Sequence, residues 1–167
     1  MEEMQLNTLD QQIRMYEELA INSHPALQTQ LYDGWQLRFS NGYTGRANSI
    51  SMLYPSTIDE DEKIAECERR YAEQKLACNF KITDATPKAF DQKLEQRGYK
   101  IVTPTHLMIA SLEDKSFQTN ATCITTSSPD ELWQKTCFDL HDLGESSRKT
   151  ATAMFANIKN PAVYYRL

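Results

Sequence analysis

The chain is expected to adopt an α/β (α+β) fold: a mixed, mostly antiparallel sheet with helices on both faces. Three observations carry this. Apolar stripes at helical spacing alternate with period-two runs, a hairpin signature lies near Asn41-Gly42, and proline, glycine and capping residues punctuate the boundaries. The predicted order is α-β-β-α-β-α-β over residues 8 to 112, then β-α-α-β from 121 onward. At 167 residues and 40% hydrophobic, the chain is long enough to bury one sizeable core and to begin another.

Each element follows from its residues. Leu9, Ile13, Tyr16, Leu19 and Ala20 predict a first helix over residues 8 to 21, closed before Pro25. Trp35, Leu37 and Phe39 alternate with Gln36 and Arg38, predicting a strand over Tyr32 to Phe39 with Trp35, Leu37 and Phe39 facing the core. Asn41-Gly42 is read as the hairpin tip, with the return strand running from Tyr43 towards Leu53. Thr57 and Glu60 form an expected capping box for a helix to about Lys75, striped by Ile64, Cys67 and Tyr71. Phe80 and Ile82 mark a short strand. Thr86-Pro87 opens a helix carrying Phe90 and Leu94, Gly98 supplies its C-cap, and a long strand is expected from Lys100 to Leu112. Cys123 to Thr126 reads as a strand, and Ser128-Pro129-Asp130-Glu131 as a capping box, with proline at the first helical position, for a helix with Leu132, Trp133, Thr136 and Leu140. A last helix over residues 147 to 159 carries Ala151, Met154, Phe155 and Ile158. Residues 162 to 167 form a final strand, with continuing sequence or a second chain expected to complete its ladder.

Composition excludes several classes. A net charge of −5 and the lack of a lysine/arginine stripe argue against nucleic acid. No apolar run approaches the roughly 20 residues that cross a bilayer, and the first residues do not resemble a secretory signal, so no membrane partner and a cytoplasmic location are expected. Cys67, Cys78, Cys123 and Cys137 are widely spaced and read as buried thiols, without a metal site. Asn120-Ala121-Thr122 matches a glycosylation triplet by coincidence in that setting. His24, His106 and His141 are isolated, and none is expected to be catalytic.

The helix-to-strand junction LEQRGYKIV (Leu94 to Val102) and the stretch HPALQTQLYDGWQLRFSNGYTGRANSISMLYPS (His24 to Ser56) resemble GNAT-superfamily N-acetyltransferases. The likeness is to the N-terminal half of a group of bacterial members built as tandem repeats. It implies residues 1–112 as an N-terminal repeat, 113–120 as a linker and 121–167 as the opening of a second repeat. It also implies acyl transfer from acetyl-CoA to a small-molecule amine, with the cofactor held in the second repeat. Two departures are plain. The family's Arg/Gln-x-x-Gly-x-Gly/Ala phosphate clamp corresponds here to LYPSTIDEDEK, residues 53 to 63, which has no glycine and carries Asp59, Glu60, Asp61 and Glu62. The leaving-group tyrosine corresponds to Leu94. Acetyl-CoA is therefore not expected to bind this chain alone, and its catalytic residues are unknown.

The segment LYDGWQLRFSNGYTGRANS, residues 31 to 49, holds the candidate substrate-binding residues Tyr32, Asp33, Arg38, Tyr43, Arg46 and Asn48. Their hydrogen-bonding capacity exceeds what a hairpin needs. Arg38 and Asn48, if on the inner face, require partners from a pocket or from an interface with the second repeat. A structural hairpin with Arg38 and Arg46 on the rim is the alternative. At the level of function, a cofactor-free small-molecule-binding or regulatory module and a dimerisation domain stand beside the acetyltransferase reading, with homo-oligomers expected through the C-terminal strand.

Overall fold

A computed structural model describes residues 9–111, 113, 116 and 122–166. Leu112, most of the 113–120 linker, the Asn120-Ala121 start of the glycosylation triplet and Leu167 lie outside the described residues. The elements are α1 (Leu9–Ser23), β1 (Gln28–Tyr32), β2 (Trp35–Phe39), β3 (Ile50–Met52), α2 (Glu60–Glu73), α3 (Lys88–Gln96), β4 (Ile124–Thr126), α4 (Glu131–Leu140), α5 (Glu145–Ala156) and β5 (Tyr164–Arg166). An antiparallel sheet of order β1-β2-β3 and an antiparallel pair β4-β5 complete a mixed α+β fold.

The hairpin turn differs from expectation. Tyr32 pairs with Trp35, so Asp33-Gly34 is the two-residue turn, and both residues take positive φ, 42° and 84°. An Asp-Gly pair suits the primed turn whose twist matches the flanking strands. Asn41-Gly42 also turns the chain, with φ of 52° and 77° and a bond from Tyr43 N to Ser40 O of 2.8 Å. It opens a loop, however, and the return strand begins only at Ile50. Asn48 holds the backbone at Ser40, Gly42, Tyr43 and Thr44 in that loop, as described below, and pairing with β2 resumes where Ser49 O accepts from Arg38 N at 3.1 Å.

Alternation along β2 separates two chemistries. Trp35, Leu37 and Phe39 join Ile50, Ile64, Cys67, Tyr71, Phe90 and Leu94 in one core beneath α2 and α3. Trp35 is edge-on to Phe80 and Phe90, at centroid distances of 5.7 and 5.4 Å. Gln36, Arg38 and Ser51 take the other face, where α1 lies, so helices cover both sides of the sheet. Arg14 donates to Leu53 O at 2.6 Å and Glu17 pairs with Lys81 at 2.6 Å, pinning α1. Ile13, Tyr16 and Ala20 are half-buried there, whereas Leu9 and Leu19 are exposed.

Several boundaries move. The N-cap of α2 is Asp59, which accepts from Asp61 N and Glu62 N, in place of Thr57. The N-cap of α4 is Asp130, accepting from Trp133 N, so Pro129 precedes the cap. A carboxylate nearer the first free amides displaces the hydroxyl in both cases. Gly98 caps α3 as expected, at φ 89°, with Tyr99 N bonding Leu94 O at 3.0 Å. Phe80 forms only an isolated parallel bridge to Ile50. Residues 100 to 111 are not a strand: the segment is exposed, Met108 to 88%, and pairs with no strand among the described residues. Strand-forming side chains make a strand only where a neighbouring backbone supplies the ladder, and Pro104 interrupts this one. On α4 the inward side is Trp133, Gln134, Cys137 and Phe138, while Leu132 and Leu140 are exposed. Trp133 is edge-on to Phe155 and Tyr164 and donates through Nε1 to Tyr165 O at 3.1 Å, joining α4, α5 and β5. Of the cysteines, Cys67 is buried, Cys78 and Cys137 are half-buried and Cys123 is exposed.

Candidate functional site

The six candidate residues separate into two groups at opposite ends of β2. At its start, the Asp33-Gly34 turn docks on the chain between β3 and α2. Leu53 N and Tyr54 N both donate to Gly34 O at 3.0 Å, and a Cβ on Gly34 would stand 2.5 Å from Tyr54 O, so the contact requires glycine. The Asp33 carboxylate accepts from Thr57 N at 2.9 Å, Ile58 N at 2.8 Å and Thr57 Oγ1 at 2.9 Å. Lys63 Nζ lies 3.3 Å from the same carboxylate and donates to Asp33 O and Ser56 Oγ.

Lys63 is the residue the sequence reading missed. Its side chain is 0% exposed, and its ammonium sits 4.0 Å from the centroid of the Trp35 ring. A lysine is tolerated there because an anion, two oxygens and an aromatic face replace its water. The Ile58 amide, with Thr57 and Lys63, holds the Asp33 carboxyl well below the usual carboxylate range. Burial pulls the Lys63 pKa down against the opposing pull of Asp33. The sequence signal for this pair was that Lys63 stands four residues before Cys67, on the buried stripe that Cys67 and Tyr71 continue. Tyr32 stands beside the knot, with the Arg70 guanidinium 4.4 Å from its ring centroid.

At the far end of β2, Arg38 and Asn48 are both 4% exposed and organise the loop of residues 40 to 49. Asn48 Oδ1 accepts from Ser40 N at 2.7 Å and Gly42 N at 3.2 Å, and its Nδ2 donates to Tyr43 O and Thr44 O at 2.9 and 2.8 Å. Asn48→Ala is expected to cost about 1–3 kcal/mol by stranding these buried groups, read as a lower urea midpoint at unchanged slope. The Arg38 guanidinium donates to Arg46 O at 2.8 Å and to His24 O, makes no ion pair within 4 Å among the described residues, and has its pKa lowered by burial against the opposing pull of Tyr71 and Glu17. His24, 3.0 Å from Thr44 Oγ1, is held towards its neutral form by burial and then by Arg38 and Arg46. Arg46 is exposed. Asn41 Nδ2 donates to Thr150 Oγ1 on α5 at 3.3 Å, and Cys137 of α4 contributes to the raised pKa of Tyr43 after its burial. The loop therefore meets the α4-α5 layer, and the structure does not gather the six residues around one pocket.

Between α1 and the polar face of the sheet lies a cleft of about 290 Å³ lined by Glu18, Ile21, Asn22, Gln36, Leu53 and Tyr54. Gln36 Oε1, Arg38 Nε and Ser51 Oγ, all on that sheet face, are buried without a hydrogen-bond partner among the described residues. The acids at the head of α2 are solvated and paired: Asp61 with Lys93 and Arg97, Glu60 with Lys93. Leu94 packs in the core beside Phe90, so no phenol stands at that position.

The β3-α2 connection does not fit an acetyl-CoA pyrophosphate. Its amides at Thr57 and Ile58 are consumed by Asp33, those of Asp61 and Glu62 by Asp59, and four carboxylates flank them.

Comparison with known proteins gives an independent result. The family model described as "Probable histone acetyltransferase Rv0428c C-terminal" matches residues 10–164. The "Uncharacterized N-acetyltransferase YobR" of Bacillus subtilis (strain 168) is 32% identical over 111 residues, covering 66% of this chain and 40% of the relative. This chain thus aligns with less than half of that relative's length. No solved structure matches. Among the described residues no helix is long and apolar enough to cross a membrane.

Proposed function

The chain belongs to this acetyltransferase family, and we propose that it serves a GNAT-type N-acetyltransferase as the half that does not hold acetyl-CoA. In this reading the activity is acyl transfer from acetyl-CoA to a small-molecule amine, and residues 9 to 111 form a cofactor-free repeat. Residues 124 to 166, in β-α-α-β order, carry the first elements of a second repeat whose later part holds the cofactor. The name of the B. subtilis relative supports the reaction class. The division of labour rests on one observation: Asp33 fills the amides where the family's phosphate clamp would stand. Titration of acetyl-CoA into residues 1–167 by calorimetry is expected to give no saturable heat. A micromolar Kd would overturn the assignment of this half.

A second reading, a small-molecule-binding module, is favoured by the α1 cleft and by Gln36 in its lining, whose Oε1 is buried without a partner among the described residues. Under it, a small polar amine that raises the Tm of the parent should lose its effect in Gln36→Leu. Under either reading, β5, which pairs only with β4 among the described residues, follows exposed Val163 and carries exposed Tyr165 at its centre, offers a route to homo-oligomers. Light scattering that shows a monomer at high concentration removes that element of the proposal.

A further inference from the structure

We infer that Thr57, Ile58 and Lys63 form an oxyanion cradle whose ligand is built into the chain as the Asp33 side chain, and that removing this side chain opens a site for a small monocarboxylate. The donor set is that of an anion site. Two consecutive backbone amides at 2.9 and 2.8 Å, a hydroxyl at 2.9 Å and an ammonium at 3.3 Å converge on one carboxylate. The occupant comes from a different element. Asp33 sits in the β1-β2 turn, 24 residues before Thr57, and the turn is held independently by the Gly34 carbonyl bonds to Leu53 N and Tyr54 N. The ammonium is also fixed independently: Trp35 lies beneath it, and Ser56 Oγ and the residue-33 carbonyl accept from it. Withdrawing the carboxylate therefore leaves four donors in place with no anion.

The class of anion follows from the surroundings. Asp59 already takes the amides of Asp61 and Glu62, and Glu60, Asp61 and Glu62 add negative charge close by. A multiply charged phosphate is repelled there, while acetate matches the Asp33 carboxylate in charge and supplies a methyl where Cβ stood. The inference does not depend on the acetyltransferase reading, because it concerns only how residues 57, 58 and 63 bind an anion.

The test uses Asp33→Gly, since glycine accepts φ 42°. Acetate is titrated against chloride at equal ionic strength, following Tm and the Thr57 and Ile58 amide resonances. Tm should rise with acetate and saturate in Asp33→Gly, with both amides shifting, while the parent stays flat. Asp33→Asn, whose carboxamide fills the same volume, should also stay flat. An equal acetate response in Asp33→Asn and Asp33→Gly, or a folded Asp33→Gly with unmoved amides, overturns the inference. Should Asp33→Gly not fold in chloride, refolding in acetate supports it and failure to refold in acetate overturns it.

Discussion

Trp35→Ala is expected to destabilise the fold by about 3–5 kcal/mol, the range for deleting a large aromatic from a core. Trp35 is 2% exposed and is the hub at which β2, the Phe80 bridge and α3 meet through edge-on rings. Its loss also strips Lys63 of the aromatic face under its ammonium. With typical stabilities of about 5–15 kcal/mol, the variant should stand near its unfolding threshold at 37 °C. Arg46→Ala, by contrast, removes an exposed side chain and keeps the backbone carbonyl that accepts from Arg38 and Ser49, and should change stability by less than about 0.5 kcal/mol. Urea denaturation followed by far-ultraviolet circular dichroism measures both. Comparable losses would mean that the Arg46 side chain, and not only its backbone carbonyl, supports the loop of residues 40 to 49.

The second large effect is an asymmetry within the Asp33–Lys63 pair. Asp33→Asn should lose more stability than Lys63→Met, although each removes one member of the same ion pair. Lys63 is fully buried, so neutralising Asp33 leaves an ammonium with no counter-charge, a situation that generally costs about 3–5 kcal/mol. Lys63→Met keeps the stem packed on Trp35 and leaves Asp33, 16% exposed, with its amide and hydroxyl donors. The double variant Asp33→Asn/Lys63→Met should then be more stable than Asp33→Asn. A double variant no better than that single variant would show that the ammonium does not depend on Asp33.

The same pair sets an acid response. The folded Asp33 carboxyl is held below its unfolded value of about 3.9, so the unfolded chain takes up the proton first as pH falls. Its contribution is therefore complete above about pH 4 and is lost progressively below that. Glu66, held at about 2 chiefly by its bonds to Arg69 and Arg70, adds to the same slope. The measurement is thus a difference: urea midpoints from pH 2 to 7 should fall less steeply in Asp33→Asn than in the parent.

What could be read in the residues was what depends on near neighbours. Trp35, Leu37 and Phe39 announced their common face by alternation, Gly98 its left-handed cap, and Phe90 with Leu94 their stripe. The absence of glycine and the run of acids between residues 53 and 63 are equally local signals, and the expectation they carry, that phosphate is not held there, is what the acetyl-CoA titration tests. Asp33-Gly34 was equally visible as a primed-turn dipeptide, but Asn41-Gly42 offers the same signal, and local propensity cannot choose between them. Long-range contacts decided. Gly34 fits against Tyr54 and Pro55, which closes the hairpin there, while Asn48 draws in the backbone after Asn41 and makes it a loop. Residues 100 to 111 have the composition of a strand, yet a strand exists only where another backbone lies alongside. Lys63 illustrates the same limit most sharply. In the sequence it is one more charge at the head of an acidic helix, and only the arrival of Asp33 from 30 residues away supplies the anion that lets it be buried.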